Sequence, residues 1–409
     1  MSRRRLLLAG ASGAAALAAG GGVLLAHDRQ QDAVGQARAA DAQQAAANQA
    51  TAVGAASEPF HGAHQPGIAT PPQATGTFAA FDLRAGVDKD ALHRLMRILT
   101  DDIRRVMSGQ PALADTAPQL AVTPARVTVT VGYGPALFDK TGLAQQKPPG
   151  FADLPAFPGI DALENAYSGG DLLLQVCSDD PVTTSHTLRM LLKDTRAFAT
   201  PRWFQKGFRH ANGTEPAGPS TRNLMGQVDG TVNPTGEADL DRLIWHPGPG
   251  WFTGGTMMVL RRIRMNLDSW DALAPAEMEE AIGRTLSNGA PLSGSNEHDE
   301  PDFTKADATG LPAIAPFAHI RQARGDRPAP QILRRPYNYD ESPDPGGHSD
   351  LGLLFCSYQA DLAAQFIPIQ RRLAAADLLS QWTTPIGSAV FALPPGCQPD
   401  GFLGEGLLT

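Results

Sequence analysis

Residues 170–198, GDLLLQVCSDDPVTTSHTLRMLLKDTRAF, decide the fold class. The first part, GDLLLQVCSDD (170–180), is a short apolar run closed by two acids. A run of that length is a buried strand. Pro181 follows, and apolar residues then recur at helical spacing. Proline is tolerated in the first helical turn, where its missing N–H has no partner to lose. A buried strand that feeds directly into a helix argues for mixed layers and against an all-β or all-α chain.

The same unit recurs on either side. GTFAAFDLRAG (76–86) is a short strand, and DKDALHRLMRILTDDIRRVM (88–107) carries Leu92, Leu95, Met96, Leu99 and Ile103 at helical spacing. ARVTVTVGYG (125–134) alternates as a strand does. Later, GGTMMVLRRIRMNLDSW (254–270) is a strand running into a turn, and APAEMEEAIGRTL (274–286) is helical. LGLLFCSYQA (351–360) is a strand, and DLAAQFIPIQRRLAAADLL (361–379) a helix. The expectation is an α+β architecture of two similar halves, residues 58–220 and 221–409. No period of 20–50 residues repeats, which excludes a solenoid. Between the later units, residues 287–319 form a long irregular stretch rich in Pro, Gly and Asp. Such a stretch inside a compact domain suits a loop wrapped around a ligand.

The chain has 409 residues, 42% of them hydrophobic, and a formal net charge of −8. Lys and Arg cluster nowhere beyond the first five residues, which argues against a nucleic-acid partner. Three scattered cysteines, Cys177, Cys356 and Cys397, match no metal or redox spacing and fit buried small side chains. The amino terminus, MSRRRLLLAGASGAAALAAGGGVLLA (1–26), places Arg3-Arg4 before a mild apolar run. It has the form of a twin-arginine export signal. A membrane is expected only through this segment if it stays uncleaved. Residues 27–57, rich in Ala and Gln, cannot bury a core and form a linker. Twin-arginine machinery carries folded proteins, so a cofactor inserted in the cytoplasm suits this route, and the destination is periplasmic, wall-associated or extracellular.

Chemistry-bearing motifs are few. GxSxG, HExxH, Walker and GxGxxG patterns are absent. His319 stands out in PAIAPFAHIRQARGDRPAPQILRRPYNYD (312–340). An apolar approach delivers the imidazole, and Arg321, Arg334 and Arg335 follow. An enclosed imidazole with guanidinium groups nearby suits an iron porphyrin with its propionates. GQVDGTVNP (226–234) raises a second question. Asp-Gly alone marks a turn, with Asp229 bonding its own backbone.

GQVDG with TVNP, then HIR, then ILRR before an aromatic, resembles the dye-decolorizing peroxidase family. FHGAHQPGI, GGTMMVLRRIRMNLDSW, GRTLSNGAPLSG, DEPDF, GLLFCSYQADLAAQFIPIQRRL and GSAVFALPPG extend the resemblance in one order from about residue 58 to 404. One departure is GRTLSNGAPL, where family members tend to carry Lys-x-Thr-Gly ahead of Ala-Pro-Leu.

The resemblance implies two ferredoxin-like halves, barrel-like together, with antiparallel sheets and flanking helices. It implies one haem b in the C-terminal half. It implies a peroxidase that reduces hydrogen peroxide through an oxoferryl intermediate and oxidises dyes, phenolics or other one-electron donors. His319 matches the iron ligand, Asp229 the distal acid and Arg334 the distal arginine, with Arg335 the alternative. Arg321 is similar to a propionate-binding position, Asp377 matches an acceptor for the His319 Nδ1–H, and Gly230 lets the backbone pass close to the porphyrin. An unperturbed aspartate titrates near about 3.9, so an Asp base favours an acidic working range. Asn233 matches a loop-shaping position. Tyr337, Tyr339, Tyr358, Trp382 and Trp251 are candidates for oxidation of bulky donors at the surface. Two other readings stand beside this one. One is a haem-handling protein that releases iron from haem or oxidises porphyrinogen. The other is an exported binding protein whose Asp229 is only a turn.

Overall fold

Both halves of the chain carry four long strands, with helical segments after the first and the third. The computed structural model describes residues 52–215, 220–325, 330–343, 347 and 349–409. The export signal at 1–26 and nearly all of the linker at 27–57 lie outside the described residues. Residues 55–409 form one compact unit. In the N-terminal half the elements are β1 (Thr75–Leu83), α1 (Lys89–Met107), β2 (Thr128–Tyr133), β3 (Leu172–Ser178), α2 (Pro181–Thr195) and β4 (Ala199–Phe208). In the C-terminal half they are β5 (Thr256–Met265), α3 (Pro275–Ile282), α4 (His319–Arg324), β6 (Tyr337–Glu341), β7 (Asp350–Gln359), α5 (Ile367–Ala376) and β8 (Thr383–Leu393).

The strand order is β4-β1-β3-β2 in one half and β8-β5-β7-β6 in the other, the same order twice. All pairings are antiparallel. Two narrow seams join the halves: Ala392 of β8 opposite Tyr133 of β2, and Phe208 of β4 opposite Asn338 of β6. Because β5 pairs with both β7 and β8, the sheet closes on itself as a barrel. Closure removes the free edges that an open sheet would leave unpaired.

β3 shows why the quoted stretch is apolar without interruption. Side chains alternate across a strand. Leu172, Leu174 and Val176 pack into the layer under α1 and α2. Leu173 and Cys177 face the barrel interior with Phe78, Met258, Leu354 and Phe391. Both faces are therefore covered, and each fully buried leucine contributes about 1.5–3 kcal/mol. α1 buries Leu92, Leu95, Met96, Leu99 and Ile103, the five residues picked out by their spacing. Asp88 caps it, accepting the Ala91 N–H at 2.8 Å. Asp180 caps α2 in the same way, accepting from Thr183 at 2.8 Å. All three cysteines are buried and unpaired, and burial pushes the Cys356 thiol up to about 12.

The stretch 361–379 departs from one continuous helix. It opens with a wide turn, Leu362–Phe366, continues as α5, and stops at Ala376. Pro368 cannot donate to a carbonyl one turn back, which accounts for the loosened start. Residues 287–319 are irregular, as expected, with two isolated bridges, Arg284 with Pro291 and Ala306 with Pro312.

A buried acid pair gives the N-terminal half a pH dependence. Asp102 on α1 is 1% exposed, and its Oδ1 accepts the Leu113 N–H at 2.8 Å. Burial, and then the Asp102 charge, push the Asp194 carboxyl on α2 up to about 7. Its folded pKa thus lies above the unfolded value, so protonation favours the fold. That contribution is fully present below about pH 4 and is lost as pH rises through about 7. Asp194→Asn is expected to raise Tm by roughly 2 °C or more at pH 8, with little gain at pH 4, as read by thermal unfolding.

Candidate active site

The C-terminal half encloses a cavity of about 870 Å³, toward the upper end of cofactor-site volumes. Strands β5, β7 and β8 supply Ile263, Met265, Leu353, Phe355 and Pro385 to its walls, and α5 supplies Ile369 and Leu373. These walls are apolar and continuous. His319, Asp377, Asp229, Gly230 and Arg334 all reach this one cavity.

His319 begins the short helix α4. Ile314, Ala315 and Ala318 ahead of it are buried and anchor its approach. Its Nδ1 lies 2.7 Å from Asp377 Oδ2, and Asp377 is itself 5% exposed. Asp377 can face the ring because α5 ends at Ala376. Asp377 then takes extended geometry and caps the next turn, accepting the Leu379 N–H through Oδ1 at 3.0 Å. The Leu378 N–H donates to Phe317 O at 3.0 Å, which ties the two loops together. With both carboxylate oxygens engaged, the imidazole is fixed with its proton on Nδ1, and Nε2 is left for a ligand. Burial would lower the His319 pKa, but the Asp377 charge and hydrogen bond outweigh it and raise it.

Asp229 is not a hairpin corner. It closes a short strand, Val228–Asp229, that pairs with Thr221–Arg222. The hairpin turns earlier, where the Gly226 N–H donates to Asn223 O at 3.0 Å. Gly230 then takes φ +106, a conformation that strains any side chain. Asp229 Oδ1 lies 2.6 Å from Arg334 Nη1, with side-chain exposures of 11% and 21%. The contact balances charge, and Asp229 Oδ1 is itself buried against the guanidinium.

Arg335 faces the other way. It is 1% exposed and donates to Thr70 O and Gln73 Oε1. Adjacent residues on a strand point to opposite faces, so only Arg334 meets the cavity.

Arg321 does not line the cavity. It donates to Phe303 O at 3.2 Å and Ile314 O at 3.0 Å, and it stacks on the Phe303 ring. The sequence reading of Arg321 as a propionate partner is not matched by this geometry. Besides Arg334, the arginines at the wall are Arg242, Arg284 and Arg324. Arg284 is 6% exposed, donates to two carbonyls, and forms no ion pair among the described residues. Gln227 is 4% exposed, lines the cavity, and has an unpartnered Nε2. Both were missed in sequence. Gln227 lies inside the quoted motif, and Arg284 lies in the segment that departs from the family pattern. Of the aromatic candidates, Tyr337, Tyr339 and Tyr358 are fully buried. Trp382 is half-buried and meets Trp270 edge-on at 5.3 Å, within a cluster that includes the wall residues Met265 and Leu353.

The donor set fits a haem. A flat apolar ring would meet apolar walls, the free imidazole nitrogen could take the iron, and Arg284, with no ion pair among the described residues, could meet a carboxylate.

Family models described as "Dyp-type peroxidase, N-terminal" and "Dyp-type peroxidase, C-terminal" match residues 65–209 and 220–398. A DyP-type peroxidase structure from Cellulomonas bogoriensis is 51% identical, with TM-score 0.84, and the match covers 87% of this chain and 99% of that one. Ferric DtpA from Streptomyces lividans is 41% identical at the same TM-score, covering 88% and 98%. A Yersinia pestis protein named Deferrochelatase is 36% identical over 86% of this chain and 85% of its own length.

Proposed function

Since the chain belongs to the Dyp-type peroxidase family, haem-dependent enzymes that use hydrogen peroxide, we propose how its own residues divide that work. Bound haem b supplies the iron centre at which peroxide is reduced and one-electron donors are oxidised. His319 would hold the iron through Nε2, and Asp377 fixes the tautomer and orientation of the ring. Asp229 takes a proton from one oxygen of hydrogen peroxide and returns it to the other. Arg334 holds the negative charge that peroxide carries once deprotonated. Arg284, a buried cation without an ion pair among the described residues, would receive a propionate in place of Arg321. Bulky donors give up electrons at Trp382, a half-buried indole packed in the cluster behind the cavity wall.

One observation carries this reading. The His319–Asp377 pair and the Asp229–Arg334 pair, brought together from four separate stretches of sequence, line a single apolar cavity. The test is rapid mixing of the haem-loaded protein with one equivalent of peroxide at acidic pH. Fast loss of the Soret band supports the reading, and a band that barely responds counts against it. A second prediction tests the imidazole's support. Asp377→Ala is expected to weaken haem binding by about ten- to a hundredfold, as read by titrating the haem-free protein with haem.

A second reading has the same cavity release iron from haem. The relatives named Deferrochelatase favour it. Recovery of intact metal-free porphyrin after incubation with haem separates it from peroxide turnover.

Export by the twin-arginine route is part of the proposal and rests on residues 1–26 alone. Among the described residues, no helix is long and apolar enough to cross a membrane. Changing Arg3 and Arg4 to Lys should hold the full chain in the cytoplasm, as read by cell fractionation.

A further inference from the structure

Arg334 sits on a two-residue strand, Leu333–Arg334, beside β7, with Arg334 opposite Ser357 and Leu333 opposite Tyr358. The Arg335 N–H donates to Cys356 O at 2.9 Å. This register makes Arg334 and Ser357 a non-hydrogen-bonded pair, so the Arg334 N–H and C=O point away from β7. No further strand lies on that side among the described residues. Asn233 fills the place. Its Oδ1 accepts the Arg334 N–H at 2.9 Å, and its Nδ2 donates to Arg334 O at 2.7 Å. The carboxamide thus reproduces both bonds of a neighbouring strand. Asn233 also closes the turn after Asp229, its own N–H donating to Gly230 O at 2.9 Å. One side chain therefore ties the loop carrying the acid to the strand carrying the guanidinium, although 101 residues separate Asn233 from Arg334.

We propose that Asn233 is the positioning residue that sets the Asp229–Arg334 pair. The inference rests on the assignment of that pair to peroxide. Asn233 itself touches no reacting atom. It acts by holding the Arg334 backbone at the distance that lets the guanidinium meet Asp229. Displacement of a catalytic group by about 1 Å can reduce a rate by about a hundredfold.

The test is a double-mutant cycle on the haem-loaded protein with two readouts: the rate constant with peroxide, and the rate constant for cyanide binding to the ferric protein. Cyanide binding involves no turnover, yet it also needs proton removal and a cation near the ligand. Asn233→Ala is expected to lower both by about ten- to a hundredfold, with the Soret spectrum retained. In an Arg334→Ala background the same change is expected to alter either by less than about twofold. A purely architectural Asn233 would add its full loss in both backgrounds, which overturns the proposal, as does an unchanged Asn233→Ala. If Arg334→Ala alone changes neither rate, the assignment beneath the proposal falls and the proposal with it, a pattern distinct from the other two. Asn233→Asp guards against a variant that fails to fold. Its carboxylate accepts the Arg334 N–H but cannot donate to Arg334 O until protonated. Its rates relative to the unaltered protein should therefore rise as pH falls, and a flat ratio counts against the proposal.

Discussion

His319→Ala is expected to remove the native haem spectrum. No other imidazole, thiol or phenol lines the cavity among the described residues, so the substitution leaves no strong axial donor. Met225 and Met265 also line it, but both are packed in the cluster around Trp270. The change also strands Asp377, a carboxylate 5% exposed whose Oδ2 loses its partner. The structural price is limited because Asp377 Oδ1 keeps its bond to Leu379. Far-ultraviolet circular dichroism should therefore remain that of the folded chain. The space left by the ring faces the cavity, and free imidazole added to the variant should restore much of the Soret band. A variant that keeps the native spectrum without added imidazole would remove His319 from the iron.

Asp229→Asn is expected to slow the reaction with peroxide by about 10²–10⁴-fold, the range for loss of a positioned acid–base group. The amide keeps the size of the side chain but cannot take up a proton, so haem binding should change little. Arg334→Ala should slow the same step by about 10²–10³-fold, as loss of one charge-stabilising donor does. The two losses should not multiply, since the groups are in contact at 2.6 Å and act on one proton transfer. Stopped-flow absorbance of the two single variants and the double variant measures all three. A double variant whose loss equals the product of the single losses would mean that the pair does not work as a unit.

Much of the fold was legible because its signals are local. β3 is a continuous apolar run since both of its faces are covered, and α1 carries its stripe at the spacing of a helix face. β4, β6 and β8 were not identified as strands. β4 has one face in solvent and carries Pro201, Arg202 and Lys206, so its alternation is masked by polar side chains. β6 is five residues long and ends in two acids. Barrel closure depends on all three, and the two seams rest on single residue pairs that no local pattern announces.

The site divides along the same line. The sequence by itself determined the residue types and their order: the acid of GQVDG, His319 behind an apolar approach, the pair of arginines in ILRR, and an acid after AAA. It determined the two-half α+β class for the same reason, because periodicity and motif spacing are properties of the chain. Only the tertiary structure decided which arginine faces the cavity. Arg334 and Arg335 differ by one step of strand alternation, and that parity is set by the register against β7. Only the structure turned Arg321 onto carbonyl oxygens of its own loop and left Arg284 and Gln227 at the wall. It also converted Asp229 from an ordinary Asp-Gly turn into a carboxylate at the cavity wall, paired with a guanidinium. The partner that decides an acid's chemistry lies more than a hundred residues away, and folding alone brings it within contact.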